Sequence, residues 1–440
     1  VLAPPSRVTP ARRLALSNGF DAASRTLIDV VVDVTAVLAV GASAVEIGVL
    51  NAAGTLAFFL LGAPIGVIVD RAEARVVMMW AATVRAGVCV GTAALLATGH
   101  LSFWLLAAAS FLIGVTGTAS ETGQMVRATQ VVDRDGVGRL VARLQSADTA
   151  LALVVPAAAG LALAAMDAAP LMVVAAVAAV AAAVLLAGRD VSSARTETPP
   201  SDDSLPRGLR AGVRQFADDV VDGLAAFRAD TVVRRLTWSS TCTNLGLAAF
   251  SSVEAIFMLR TLDIGTGAYG ALVTAGAAGG LVGSLAAERV VNRFSRSQVV
   301  WATSACLTVV AALPLAALAV AAWAIPLLTA HAVTWGLCIV VVNVQTSAIV
   351  AARTEPGVLG RVSALRRAIT YGVVPVGSIA GGLSADHLGI ATVLGGAVAV
   401  AALSTVFAWR AAHADEDDRN PPEPCCAGTA HVAERREDPT

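Results

Sequence analysis

Four charged residues at intervals of four, Asp21, Arg25, Asp29 and Asp33, interrupt an otherwise apolar stretch near the start of this 440-residue chain. On a helix of 3.6 residues per turn each step of four advances about 40°, so all four lie within about 120° of one face. If that stretch crosses a bilayer, an ionised acid at its middle costs about 2.5–3.5 kcal/mol on insertion scales, so the stripe must face protein or water. Arg25 can pair with Asp21 or Asp29, which leaves at least one carboxylate free, and Asp33 is the deeper candidate. Glu254 falls near the matching depth in the second half, because Arg12-Arg13-Leu14 aligns with Arg234-Arg235-Leu236. Asp29, Asp33 and Glu254, with Arg25, are the candidates to bind a cation, a proton, or each in turn; carboxylates in such a setting can exchange protons near neutral pH. A structural network of Asp29 and Asp33 with Arg25, or with Arg85, is the competing reading and stays open at this point.

The elements that must carry these residues are membrane helices. Hydrophobic residues make up 56% of the chain and charged ones only 14%, where a soluble domain carries about 25%. A window of about 19 residues finds twelve apolar spans between residues 14 and 409, each long enough for a hydrocarbon layer of about 30 Å. The expectation is an all-α integral membrane fold of twelve helices in two pseudo-symmetric six-helix bundles. In this division residues 1–13 are a short cytoplasmic arm, 14–188 the first bundle, 189–235 a cytoplasmic loop with an amphipathic helix, 236–410 the second bundle, and 411–440 a disordered cytoplasmic tail. All 31 basic residues are arginine. With both termini inside, every arginine except Arg25, Arg85 and Arg260 lies in a cytoplasmic segment, and only Arg260 lies outside, as the positive-inside rule requires.

Composition also excludes function classes. A net charge of −1 gives no case for a nucleic-acid partner. There is no lysine and no phosphate-binding Gly-x4-Gly-Lys-Ser/Thr loop, so direct ATP drive is out. Of the six cysteines, four are isolated within spans, and Cys425-Cys426 in the tail has no metal-ligand spacing around it. No cofactor, no metal site and no catalytic constellation are expected, so the chain does not read as an enzyme.

The second half repeats the first at an offset of about 218 residues. Gly62-x3-Gly66-x3-Asp70-Arg71-x3-Arg75 returns as Gly280-x3-Ser284-x3-Glu288-Arg289-x3-Arg293. Small residues every four positions put one smooth helix face against a neighbour, and an acid followed by arginines ends the helix. Ser378-x3-Gly382-x3-Asp386 gives the small-small-acid pattern a third time. Gly138-Arg139 before Pro156-x3-Gly160 parallels Gly360-Arg361 before Pro375-x5-Gly381. Spans two, five, eight and eleven therefore look like equivalent members of four three-helix units, an arrangement associated with rocking about a central site.

These residues resemble the major facilitator superfamily. Gly62-Ala-Pro-Ile-Gly66-Val-Ile-Val-Asp70-Arg71 is similar to its loop between spans two and three, although Glu73 and Ala74 replace the usual Gly and first Arg. Leu359-Gly360-Arg361-Val362-Ser363, Val374-Pro375-Val376-Gly377 and Gly381-Gly382-Leu383-Ser384-Ala385-Asp386 resemble a drug-exporter branch that includes macrolide efflux pumps and the enterobactin exporter. The resemblance implies a monomeric secondary transporter of the bacterial inner membrane, exporting a drug or natural product such as a macrolide-like antibiotic or a siderophore. The proton gradient would drive it, and the partners would be the lipid bilayer and a small-molecule substrate, for which a cationic amphiphile fits. It also implies that Asp70 contacts the inner ends of spans four and eleven as a gate, with Glu288 doing the same at span five. Import, lipid transport, or a non-transporting sensor or scaffold are the rival functions. Absence of lysine with Ala-, Val- and Arg-rich usage suggests an actinobacterial source.

Overall fold

The computed structural model describes residues 9–187, 224–290, 294–355 and 358–419. Among them there is no strand. The first half contains α1 (Pro10–Val34), α2 (Ala44–Arg71), α3 (Ala74–Ala97), α4 (Phe103–Val131), α5 (Arg134–Ala165) and α6 (Ala168–Ala187). The second contains α7 (Thr231–Ile256), α8 (Gly265–Val290), α9 (Arg296–Ala311), α10 (Leu313–Ala319), α11 (Ala324–Arg353), α12 (Leu359–Gly372), α13 (Val374–Leu388) and α14 (Ile390–Arg419). Helices α9 and α10 are one span broken before Pro314, and α12 and α13 are one span broken before Pro375. Proline lacks the N–H for the ladder and its ring collides with the preceding turn, which accounts for both breaks.

Eleven helical segments among the described residues are long and apolar enough to cross a membrane. The twelfth span is α1, which the charged stripe of Asp21, Arg25, Asp29 and Asp33 keeps off a purely apolar count. Inter-helix packing repeats between the halves. In the first, α1 packs on α5 and α6, α3 on α4 and α6, and α2 on α4. In the second, α7 packs on α13 and α14, α9 on α11 and α14, and α8 on α11. Each pairing has its counterpart, so the duplication read in the sequence is a duplication of architecture.

The halves meet through α2 against α13 and α5 against α8. Below, the terminal end is the end of the bundle where α1 begins and α14 stops; the far end is opposite. Both crossings are tightest at the far end. A Cβ placed on Gly160 of α5 would lie 2.9 Å from the Gly270 Cα of α8, and the converse distance is also 2.9 Å. In α13 the adjacent glycines divide the work. A Cβ on Gly381 would sit 2.6 Å from the Ala249 Cα of α7, and one on Gly382 would sit 2.7 Å from the Val45 Cα of α2. Only hydrogen fits at these positions, so α13 can wedge between its own bundle and the other.

Three sequence expectations change. The smooth face of Gly62 and Gly66 was expected against a neighbour, yet nothing among the described residues lies within 4 Å of a Cβ at either position. On α8 the close approach runs one residue round, through Gly279 and Gly283 against Val333 and Leu337 of α11, while Ser284 is exposed. Gly280 and Ser284 instead face the cavity of about 770 Å³ between the halves. The tail also starts later than residue 411. Helix α14 continues to Arg419, and Asp415 is only 3% exposed, accepting from the Ser297 hydroxyl (2.8 Å) and Arg353 (3.0 Å). Most of the expected amphipathic helix of the central loop, residues 420–440, and the side chains of Asp70, Arg71 and Glu288 lie outside the described residues, as does Arg293. The loop's end is described: Phe227 is buried with Val233, Val350 and Val362 of the second bundle.

Candidate functional site

The stripe on α1 divides into a compensated part and an uncompensated part. Nearest the terminal end, Asp21 is buried and takes two bases. The Arg85 guanidinium of α3 lies 2.5 Å away and the Arg25 Nε 3.1 Å away. Arg85 is 0% exposed, and its other nitrogens donate to Thr116 (3.2 Å) and Ser120 (3.3 Å) of α4. Arg25 also reaches Glu121 of α4 at 2.7 Å. Two bases and two acids cancel, with hydroxyls filling the remaining donor sites. A buried cation is tolerated only under such terms.

Arg25 therefore pairs with Asp21 and not Asp29, and Arg85 serves Asp21 as well. Asp29, Asp33 and Glu254 have no cationic partner within ion-pair distance among the described residues. All three line cavities. A cavity of about 770 Å³ is bounded by Arg25, Asp29, Glu121, Gln124 and Asp148 from the first half and by Gly280 and Ser284 from the second. One of about 400 Å³ contains both Asp29 and Asp33. The deepest, about 260 Å³, is shared by Asp33 of α1 and Glu254 of α7, so the structure brings together these two residues, 221 positions apart in sequence (254 − 33). The Tyr269 hydroxyl of α8 donates to Asp33 at 3.1 Å. The cavities adjoin as a stepped chamber: Asp29 borders the first and second, and Asp33, Asn51 and Thr55 border the second and third; the outer two lie between the halves, and the middle one is walled by the first half.

Two π-helical segments follow the deep acids. Thr35–Val40 follows Asp33, and Phe257–Thr261 follows Glu254. Wider turns of this kind recur at functional sites because they redirect the chain and free backbone carbonyls. Arg260 uses them. It donates to the carbonyls of Val37 and, at 2.8 Å, Ala42, fastening the second half to the first. The α1–α2 connection turns there through Gly41, whose φ of 75° suits glycine. Next to it, the Asp386 carboxylate of α13 accepts from the backbone N–H groups of Ala44 (3.1 Å) and Val45 (3.3 Å) at the start of α2. That helix already carries a capping box between Ser43 and Glu46, so Asp386 adds a second anion at the positive end of the helix.

The chamber is thus shut at the far end by two latches. At the terminal end α5 and α8, in contact at Gly160 and Gly270, stand apart with the cavity of about 770 Å³ between them. Alternating access needs such a single-sided opening onto a polar site in the middle of two related bundles. The family described as transmembrane secretion effector, within the major facilitator superfamily, matches residues 22–434. This chain belongs to that family. No curated protein matches the sequence. Among solved structures, the chain is similar to the nucleoside transporter NupG, with a TM-score of 0.69 and 14% identity over 91% of this chain and 98% of that one. It is also similar to a bacterial homologue of the iron transporter ferroportin in an inward-facing state (0.69, 15%, 92% and 98%). A D-xylose-proton symporter gives 0.66 at 13% identity over 91% and 96%. At these identities the likeness is one of fold.

The remaining motif residues have separate places. Arg75 lies 3.4 Å from Glu73 at the α2–α3 turn, and Arg289 donates to the Leu285 carbonyl. Gly360 and Arg361 open α12 at the terminal end, and Pro375 starts α13. Sequence reasoning missed Tyr269, Asn51 and Thr55 in the deep cavity and Glu121 and Asp148 in the large one, and it read Ser378 only as a small residue of the repeated pattern. Tyr269 had a signal: it is one of only two tyrosines and falls within a span. The hydroxyl residues had none, because serine and threonine are common inside membrane helices as backbone-bonded groups.

Proposed function

We propose that this protein is a proton-coupled exporter of a drug or natural product carrying positive charge, working by alternating access in a bacterial cytoplasmic membrane. Both termini lie in the cytoplasm on this reading, because nearly all arginines outside the spans then do so. The observation that carries it is the stepped chamber, with Asp29, Asp33 and Glu254 unpaired, open at the terminal end and shut at the other. With that orientation the opening faces the cytoplasm, the side from which an exporter loads. Exposed to the other side, the same carboxylates would release the cation and take up protons. Asp70 and Glu288 would supply the opposing gate when the cytoplasmic ends of α2 and α8 close.

Everted membrane vesicles test this with macrolides, cationic dyes and siderophores as substrates. The expected result is substrate accumulation that collapses with the pH gradient and is abolished or redirected in Asp33→Asn, while that variant stays folded. Accumulation only in right-side-out vesicles would make the protein an importer. Flux absent for every compound in the intact protein would favour a sensor or scaffold.

A further inference from the structure

We infer that the deep cavity takes the substrate's head as a primary ammonium or guanidinium group, rich in N–H donors, in preference to a quaternary ammonium or a metal ion. This rests on the cationic substrate proposed above and adds which cation. The lining offers acceptors and has spent most of its donors. The Tyr269 hydroxyl is committed to Asp33 (3.1 Å). The Ser251 hydroxyl donates to the Ala248 carbonyl (2.9 Å), and the Thr55 hydroxyl to the Asn51 carbonyl (3.1 Å). The Asn51 amide donates to the Ser251 carbonyl (3.2 Å). What these groups keep is lone pairs on Ser251, Thr55 and the Asn51 carbonyl oxygen, beside the carboxylates of Asp33 and Glu254.

A second observation points independently to a ligand. Ser378 is 0% exposed, lines this cavity, and its hydroxyl has no hydrogen-bond partner among the described residues. A buried hydroxyl without a partner is uncommon and costly, which argues for a group that fills the space when the site is loaded. Only cations with several N–H donors can satisfy so many acceptors at once; an ammonium has three and a guanidinium five. A quaternary ammonium has none and is held instead by aromatic faces, of which the cavity offers only the buried Tyr269. A metal ion needs oxygens at roughly 2.0–2.6 Å, whereas the cavity of about 260 Å³ is several times the share of one water, about 30 Å³. The adjoining cavity of about 400 Å³ shares Asp33, Asn51 and Thr55 and is walled by Ile28, Val32, Leu50 and Ile113. It receives the apolar body attached to that head.

Isothermal titration of the full-length detergent-purified protein tests this with three matched probes. They are 3-phenylpropylamine, 3-phenylpropylguanidine and 3-phenylpropyltrimethylammonium, with sodium chloride as a separate titrant. The amine and guanidine should bind about tenfold or more tightly than the quaternary analogue, the value of one or two charge-assisted hydrogen bonds. Ser378→Ala and Asn51→Leu should each narrow that ratio several-fold, with melting temperatures verifying that the variants fold. Equal or reversed affinities, no binding of the amine, competition by sodium, or a ratio unchanged in both variants would overturn the inference. Because no gradient is present, failure of proton-coupled export in vesicles leaves this result standing, and a failure here leaves that reading untouched.

Discussion

Removing the Asp386 carboxylate should open the far end of the transporter. This side chain is the only acid of the second half hydrogen-bonded to the α2 N-terminus among the described residues, through the N–H groups of Ala44 and Val45. Hydrogen bonds to a charged group are worth about 1.5–3 kcal/mol, and the helix end adds about 0.3–1 kcal/mol. Asp386 is exposed, and the freed N–H groups can turn to water, so the net loss in Asp386→Ala is nearer about 1–2 kcal/mol. A change of that size moves a two-state ratio by about 5- to 30-fold. Arg260→Gln removes the other latch, whose two carbonyl acceptors lie in the same α1–α2 connection. The two effects should therefore couple rather than simply add.

The assay is a distance distribution between spin labels at His100 and Val320, which lie in far-end connections of the two halves, in a version stripped of native cysteines. Wild type should show mainly the short distance. Each single variant should raise the long-distance population, and the double variant should raise it further. Distances unchanged in all three, while melting temperatures show intact folding, would refute the assignment of Asp386 and Arg260 as far-end latches.

Three further outcomes follow from packing and charge. Arg85→Met should be strongly destabilising, by about 3–5 kcal/mol, because it strips a buried partner from Asp21; thermal unfolding in detergent should show it, and Asp21→Asn in the same background should recover part of the loss. Gly160→Val should force α5 and α8 apart where a Cβ would already lie 2.9 Å from Gly270, at about 1–3 kcal/mol, and label distances at the far end should lengthen with the first bundle intact. Asp415→Asn should weaken the junction of α9, α11 and α14 by about 1–3 kcal/mol, since it discharges the acceptor of Arg353; faster proteolysis after Arg353 or Arg410 would report it.

Much of this architecture was legible because membrane helices reveal themselves one at a time. Span lengths, the repeat and the four-residue stripe are local patterns, and α1 carries its charges on one face as the spacing required. What the sequence left open was pairing across helices. Arg25 had two acids equally near along α1, and the choice of Asp21 was decided by Arg85 and Glu121 arriving from α3 and α4. Arg260 stood out as the one arginine on the wrong side, but its partners are the backbone carbonyls of Val37, in the first π segment, and of Ala42, in the turn after it, which no residue type announces. Residues 411–440 read as a disordered tail because they begin near four acids in a row, Asp415-Glu416-Asp417-Asp418, a run that is usually solvated. The helical spacing of buried Ala408, Ala411, Ala412 and Asp415 was the overlooked clue.

The three carboxylates without a cationic partner constrain how the transporter cycles. With the far end latched, water reaches Asp29, Asp33 and Glu254 from the terminal end through the large cavity. Closing that end as well would strip the water from three negative charges that have no internal cation, a cost of several kcal/mol for each ion after relaxation. The latches at Asp386 and Arg260 together offer too little to meet that cost. The occluded state is therefore accessible only when the charges are neutralised; on the function proposed above, a cationic substrate does this in one direction and protons in the other. This ties the two movements together without any dedicated relay, because it is the empty, ionised chamber that cannot close. The triple substitution Asp29→Asn, Asp33→Asn, Glu254→Gln removes the penalty, so the terminal end should then close without ligand and exchange should become uncoupled. Labels at Gln130 and Ala352, at the terminal ends of α4 and α11, would show the approach. If they stayed apart in that protein, desolvation of these carboxylates would not be what holds the chamber open.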